Sequence, residues 1–372
     1  MGTERETVVI VASEEFVLKS YPVRRTLEQR LTDDLRVAVA RAGFEGCWVE
    51  KHAARLVIQG ISESAAEQVA ACCSKVFGVA YSVPATQLPP IMETVLNEIV
   101  RIAQTSLKPG QSFAVRCHRS VANDLDRREV EIQGGARILE SMKTGNVRVN
   151  LKDPDVTIGV DVAGDRVFVY GNKTLGPGGL PLSAQWMMLA VLDSGPLTIL
   201  AAYAMMRRGC MVQLLIPISE NISFFKRDRQ LEVASKLRRL VTRPAYKAFT
   251  VNIGLVDGLR ASDYVTARRL LRYVAPYIAH QKKFRGLVLS DTSGDLSQLS
   301  ELNPSDGGMS VPIFHPLIGL DAEELIEMCG HIGFSEDDLM SQIRLEREVH
   351  AGLAAATSSE NQGELAVEEI AL

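Results

Sequence analysis

Runs and periodicities of apolar positions divide the chain into three patterned stretches and a polar tail. Near the N-terminus the run TVVIVA, from Thr7, is continuous enough for a buried strand, and the charged stretch from about Val23 to Arg41, ending at Gly43, reads as a helix. CWVEKHAARLVIQG follows as a strand pair. Ser62 to Val76 predicts a second helix, with Ser62 as N-cap and Gly78 just past its end, and VAYSVPATQ a last strand. Strand, helix, strand pair, helix, strand is the order of a split βαβ unit. Residues 1–84 are therefore expected to form a small ferredoxin-like domain, with Pro84 to Pro90 (PATQLPP) as the linker out of it.

The second stretch opens with an amphipathic helix over 91–111, closed by Lys108-Pro109-Gly110, and continues with the alternating strand SFAVRCHRS and a helix from about Arg127 to Lys143. VRVNLKDPDVTIGVDVAGDRVFVYG then reads as extended segments turning at Ala163-Gly164-Asp165, and the glycine-rich NKTLGPGGL marks a boundary. Beyond it strands and helices alternate: WMMLAVL, a helix at Thr198 to Arg208, MVQLLIPI, a helix at Gln230 to Leu240, AFTVNIG, a helix at Ala261 to His280, and GLVLSD. That alternation predicts a parallel sheet covered by helices, with ligands at the carboxyl ends of its strands.

Composition narrows the class. With 46% hydrophobic and 23% charged residues the chain resembles an ordinary soluble protein. Apolar runs such as Trp186 to Leu192, which stops at Asp193, fall far short of the roughly 20 residues of a spanning helix, and the N-terminus lacks the order of a signal peptide. A cytoplasmic location and no membrane partner are expected. The six cysteines form no CxxC pair and no zinc spacing, so reduced thiols and no metal are expected. The net charge of -4 is mostly tail: residues 346–372 hold six acids and one base, which leaves +1 on the remainder. That small, polar, acidic segment is expected to be disordered apart from a short terminal helix.

The turn after WMMLAVL, Asp193-Ser194-Gly195-Pro196-Leu197-Thr198, joins a strand to a helix, where backbone N–H groups and the helix dipole converge on a phosphate. It lacks a P-loop lysine and has one glycine, so on pattern alone it reads as an ordinary βα turn.

The order of elements, with GPGGLPL before that strand, YAMMRRGCMV after the turn and NVRVNLKDPDVTIGVDV upstream, resembles the tRNA 4-thiouridine synthetase (ThiI) family. SEEFVLKS at 13–20, RCHRS at 116–120 and HPLIGLDAEELIEMCGHIG at 315–333 add local matches, and the likeness runs from about Thr7 to Ile343. The resemblance implies α+β and α/β domains in the order ferredoxin-like (1–84), THUMP RNA-binding (85–173) and ATP-pyrophosphatase-like with a parallel sheet (174–345), before the tail (346–372). It also implies adenylation and thiolation of uridine 8 of tRNA.

The departures lie where that chemistry would be. The family's SGGxDS loop falls on Asp193 to Thr198, of which only Gly195 matches; an acid replaces the first hydroxyl and Leu197 the aspartate, while Pro196 removes a donor. TGEALGQ is replaced by Leu289 to Asp295, the arginine before PLI by His315, and the sulfur-accepting cysteine after the final helix by SEDDLMSQIRLERE. Cys329 reads as a buried, inert thiol. Cys210, beside Arg207 and Arg208, is expected to have a lowered pKa. Catalytic residues are thus unassigned.

The RNA-facing residues survive better: Arg116, His118, Arg119, Arg127, Arg128, Arg137, Lys143, Arg148 and Lys152 can neutralise phosphates, the competing reading being a solvated face paired with Asp124, Asp126, Glu129 and Glu131. Residues 220–249 carry eight bases against three acids and 260–285 seven against one, which reads as a phosphate-backbone surface unless Arg268, Arg269 and Arg272 pair with acids elsewhere. The expectation is a tRNA-binding, catalytically degenerate relative that contacts the acceptor-end region. It would act as partner to a tRNA-modifying enzyme or sulfur donor, with the family's homodimer carried over. No cofactor is expected; ATP and magnesium would be needed if the nucleotide site survives. The alternative is an active ATP-dependent sulfurtransferase using an external sulfur donor.

Overall fold

The first apolar run forms strand β1 (Glu6–Ala12), in which Val8 to Ala12 are all buried. Helix α1 (Tyr21–Arg41) buries Leu27, Leu31, Leu35, Ala38 and Val39 on one stripe. Strands β2 (Trp48–His52) and β3 (Arg55–Gln59), helix α2 (Ala66–Cys73) and strand β4 (Tyr81–Leu88) follow in the expected order. Next come α3 (Met92–Ser106), β5 (Ser112–Val121), α4 (Arg127–Ser141), β6 (Arg148–Val149), β7 (Val156–Ala163), β8 (Arg166–Tyr170) and β9 (Thr174–Leu175). These belong to the first of two compact units, Met1–Gly179, the second being Leu180–Leu372. The computed structural model describes residues 5–16, 18–52, 55–121, 125–242, 246–253, 264–292, 311–353 and 367–371.

Unit 1 is built on one continuous sheet in the order β2-β3-β1-β4-β8-β7-β5-β6, with β9 also on β4. The segment expected as a linker, Pro84 to Pro90, is therefore partly strand: β4 pairs with β1 from Tyr81 to Gln87 and with β8 from Ala85 to Leu88. Pro84 fits because it falls between the residues that pair with β9 and those that pair with β8, where no ladder donor is required of it. On one face, Val95, Leu96 and Ile99 of α3 and Val130 and Ile138 of α4 pack on Phe113, Val115, Ile158 and Val160. Gly134 lets these helices approach, since a Cβ there would lie 3.1 Å from Ile99 Cδ1.

Unit 2 contains β10 (Met187–Val191), α5 (Pro196–Arg207), β11 (Met211–Ile218), α6 (Arg227–Leu240), β12 (Lys247–Asn252), α7 (Tyr264–Gln281), β13 (Leu287–Val288), β14 (Ile313–Phe314), α8 (Ala322–Ile332), α9 (Glu336–Leu353) and β15 (Val367–Ala371). The sheet order is β14-β13-β10-β11-β12-β15, parallel except for β15. The tail differs from expectation in its described parts. Helix α9 runs on to Leu353, and Val367–Ala371 adds an antiparallel strand along β12, which satisfies an edge that would otherwise expose a row of backbone donors and acceptors. Among the described residues no helix is long and apolar enough to cross a membrane.

Candidate nucleotide crevice and RNA-facing surface

The chain leaves β10 toward β11 on one side and later returns to place β13 on the other. The carboxyl ends of β10 and β13 are therefore the topological switch point, where an open parallel sheet forms its ligand crevice. The predicted loop, Asp193 to Thr198, lies there.

The crevice holds a buried lattice of charge. Asp193, fully buried at the end of β10, accepts through Oδ2 from Arg268 Nε at 3.2 Å and Arg272 Nε at 2.9 Å. Asp291, fully buried beyond β13, accepts from Arg272 at 2.6 Å and from His315 Nδ1 at 2.8 Å, with Arg268 at 3.7 Å. Ser194 and Ser290 also donate to Asp193 Oδ1, and Tyr264 donates to its backbone carbonyl. Burial alone would raise the Asp291 pKa; the His315 hydrogen bond and the charges of Arg272 and Arg268 outweigh it and hold the carboxyl far below its ordinary range. The acid expected to repel phosphate is instead neutralised inside the protein. Arg268 and Arg272, at 4% and 2% exposure, are crevice residues and do not belong to a surface for RNA.

The loop fits ATP poorly. Asp193 N–H donates to Val191 O, Ser194 N–H to Thr198 Oγ1 and Leu197 N–H to Ser194 O, while Pro196 has no N–H. Of the five positions from Asp193 to Leu197, only Gly195 keeps an uncommitted donor, whereas a phosphate cradle needs several converging ones. Pro196, Leu197 and Thr198 are all buried, so the first turn of α5 is core. Gly195 adopts φ +51, and a Cβ there would lie 3.2 Å from Gln342 Oε1 of α9. Leu289 to Thr292 of the divergent TGEALGQ counterpart are described; residues 293–295 lie outside the described residues.

The Cys210 and Cys329 thiols are buried. Burial raises the Cys210 pKa more than Arg208 lowers it, contrary to the expectation from its basic neighbours, and pushes Cys329 up to about 11. Among the described residues no group of His, Cys, Asp and Glu could hold a metal ion.

The RNA-facing candidates fall into three sets. His118, Arg119, Arg128 and Lys152 are exposed, and Arg119 and Arg128 have no carboxylate partner among the described residues. Arg116 and Arg148 donate to the backbone carbonyls of Leu151 and Gly110, which orients them along the β5–β6 edge without neutralising them. Arg127 pairs with Glu131 at 3.5 Å, Lys143 with Glu140 at 4.0 Å, and Arg137 clasps Glu93 and Asn97 of α3. Arg137 thus serves the α3–α4 contact. Asp126 caps α4, accepting from Glu129 N–H, so it does not pair with these arginines; Asp124 lies outside the described residues.

The sequence reading held part of the crevice lattice, as the alternative that Arg268 and Arg272 pair with acids elsewhere, and a further signal for it exists. Arg268 and Arg272 stand four apart on a helix, flanked by Ala267, Leu271 and Ala275, all buried. Arginines on an otherwise apolar stripe imply buried acids opposite.

Residues 8–82 match the ThiI ferredoxin-like domain, 92–172 the THUMP domain and 184–340 the family described as thiamine biosynthesis protein (ThiI). The probable tRNA sulfurtransferase of Methanosarcina acetivorans is 28% identical over 340 residues, covering 88% of this chain and 81% of that protein. That of Aeropyrum pernix is 28% identical over 347 residues, covering 88% and 83%. A crystal structure of a 4-thiouridine synthetase–RNA complex with bound ATP superposes with a TM-score of 0.69 at 18% identity, covering 98% of this chain and 100% of that one, a likeness of fold. With the ferredoxin-like, THUMP and ThiI segments in that order along one chain, the protein belongs to the ThiI family.

Proposed function

We propose that this protein is a cytoplasmic tRNA-binding member of the family that acts in tRNA modification by holding or presenting tRNA to a partner enzyme, without ATP chemistry of its own. The observation that carries this reading is the crevice. Two aspartates, two arginines and a histidine pair with one another where a nucleotide would need free donors, leaving Arg272 Nη2 as a buried donor without a partner among the described residues, and the loop keeps almost none. In this reading unit 1 supplies the RNA contacts, with Arg116, Arg119, Arg128, Arg148 and Lys152 neutralising phosphates of the acceptor-end region.

The test is binding of an unmodified tRNA transcript across salt concentrations. Arg116→Ala with Arg119→Ala should weaken binding and lower the salt slope by about two charges. Equal affinity and slope in wild type and double variant would remove the site assignment.

The names of the relatives favour a second reading, an active tRNA sulfurtransferase, which here would draw its sulfur from another protein. It requires Mg-ATP to displace the lattice from Asp193. It fails if Gly195→Ala with Thr198→Ala leaves cellular 4-thiouridine unchanged.

A further inference from the structure

In unit 2, the large apolar side chains exposed among the described residues are Trp186 at 59%, Met187 at 47%, Tyr273 at 36% and Tyr277 at 51%. None belongs to the charge lattice of the crevice. Trp186 and Met187 begin β10, at the amino-terminal end of the parallel sheet. Helix α7 leads from the carboxyl end of β12 to the start of β13, so its C-terminal turns, with Tyr273 and Tyr277 one turn apart, approach the same end. Two backbone bonds gather the turns there: Arg285 N–H donates to Met187 O, and Met211 N–H donates to Trp186 O.

The segments that carry these side chains hold charge of one sign. Neither Leu180 to Leu192 nor Tyr264 to Ser290 contains an Asp or Glu. Lys283 and Arg285 are exposed beyond α7, and Arg207 and Arg208 are exposed in the turn before β11. None of these four has a carboxylate partner among the described residues. Flat aromatic faces among unopposed cations suit a ligand that is both planar and polyanionic, since bases stack on the rings while phosphates meet the cations. A second copy of the same face would set like charges against each other.

We infer that the amino-terminal end of the unit 2 sheet is a second RNA-contact surface, with Trp186, Tyr273 and Tyr277 stacking unpaired bases and Arg208, Lys283 and Arg285 holding their phosphates. The inference rests on the tRNA-binding reading and extends it to a face away from the nucleotide crevice. An enzyme acting on uridine at that crevice would have no need of this face, whereas a protein that holds tRNA gains a second grip.

The experiment uses the full chain carrying Trp48→Phe, which leaves Trp186 as the only tryptophan of the two in the sequence. Titration with unmodified tRNA transcript should quench Trp186 emission saturably, and Tyr273→Ala with Tyr277→Ala should weaken binding about ten-fold. Tyr273→Phe with Tyr277→Phe, which keeps the rings, should bind as the parent does. Unchanged Trp186 emission, with equal affinity of the alanine variant under conditions where tRNA binds by gel shift, would overturn the surface but leave the tRNA reading intact. Absence of tRNA binding to the parent chain would overturn both. Sedimentation showing a dimer that the alanine pair dissociates would assign the face to a second copy and overturn the inference.

Discussion

Arg272→Met is expected to destabilise unit 2 by about 3–5 kcal/mol, the range for removing one partner of a buried ion pair. Arg272 is 2% exposed, and its guanidinium is the strongest link between Asp193 and Asp291, at 2.9 and 2.6 Å. Without it, two fully buried carboxylates must share Arg268 and His315, and His315 reaches only Asp291. Methionine roughly fills the volume, so the loss reports charge more than packing. Urea unfolding followed by Trp186 in a Trp48→Phe background reads unit 2 alone. Adding Asp193→Asn removes one charge of the opposite sign and should recover about 1–3 kcal/mol as coupling. A loss below about 1 kcal/mol in the single variant would mean that the lattice does not hold the crevice together.

The second large effect is expected in unit 1, where Gly159→Ala should cost about 3 kcal/mol. Gly159 lies in the middle of β7, between Arg116 of β5 and Tyr170 of β8. A Cβ there would fall inside the Tyr170 ring. The ring cannot withdraw cheaply: it is fully buried, its hydroxyl donates to Asp161 Oδ1 at 3.1 Å, and Asp161 Oδ2 accepts from Arg55 Nε of β3 at 3.0 Å. One added methyl would therefore disturb a chain of contacts that runs across the sheet, from the strands of the first patterned stretch to those of the second. Unfolding followed by Trp48 in a Trp186→Phe background measures the loss. Gly135→Ala on α4, with nothing within 4 Å of its Cβ position, is the control and should not destabilise. Equal stability of the two variants would show that Tyr170 is free to move.

The fold was legible where local pattern decides it. The split βαβ order, the alternation of β5 and the strand–helix alternation of unit 2 follow from periods of two and of about 3.6 along the chain. Pro84 misled because proline usually ends a strand, whereas here its missing donor falls between two partners. The C-terminal strand was hidden because glutamates at 368 and 369 lower its apolar content, and pairing with β12 is a tertiary event that composition cannot reveal. In the site, the departures from the family's loop were readable residue by residue at Asp193, Pro196 and Leu197. The acids that pair with Arg268 and Arg272 were not, because Asp193, the two arginines, Asp291 and His315 come from four separate segments that only the parallel sheet brings together. The same limit applies to Arg137, whose partner Glu93 lies 44 residues away.

The proposed function requires a crevice closed to nucleotide in a protein that still binds tRNA. Calorimetric titration of Mg-ATP into the full chain saturated with unmodified tRNA transcript, after tRNA binding has been verified, tests it most directly. The lattice of Asp193, Arg268, Arg272, Asp291 and His315 predicts no ATP heat with tRNA binding intact. Saturable one-to-one ATP binding would contradict it and restore an adenylating enzyme.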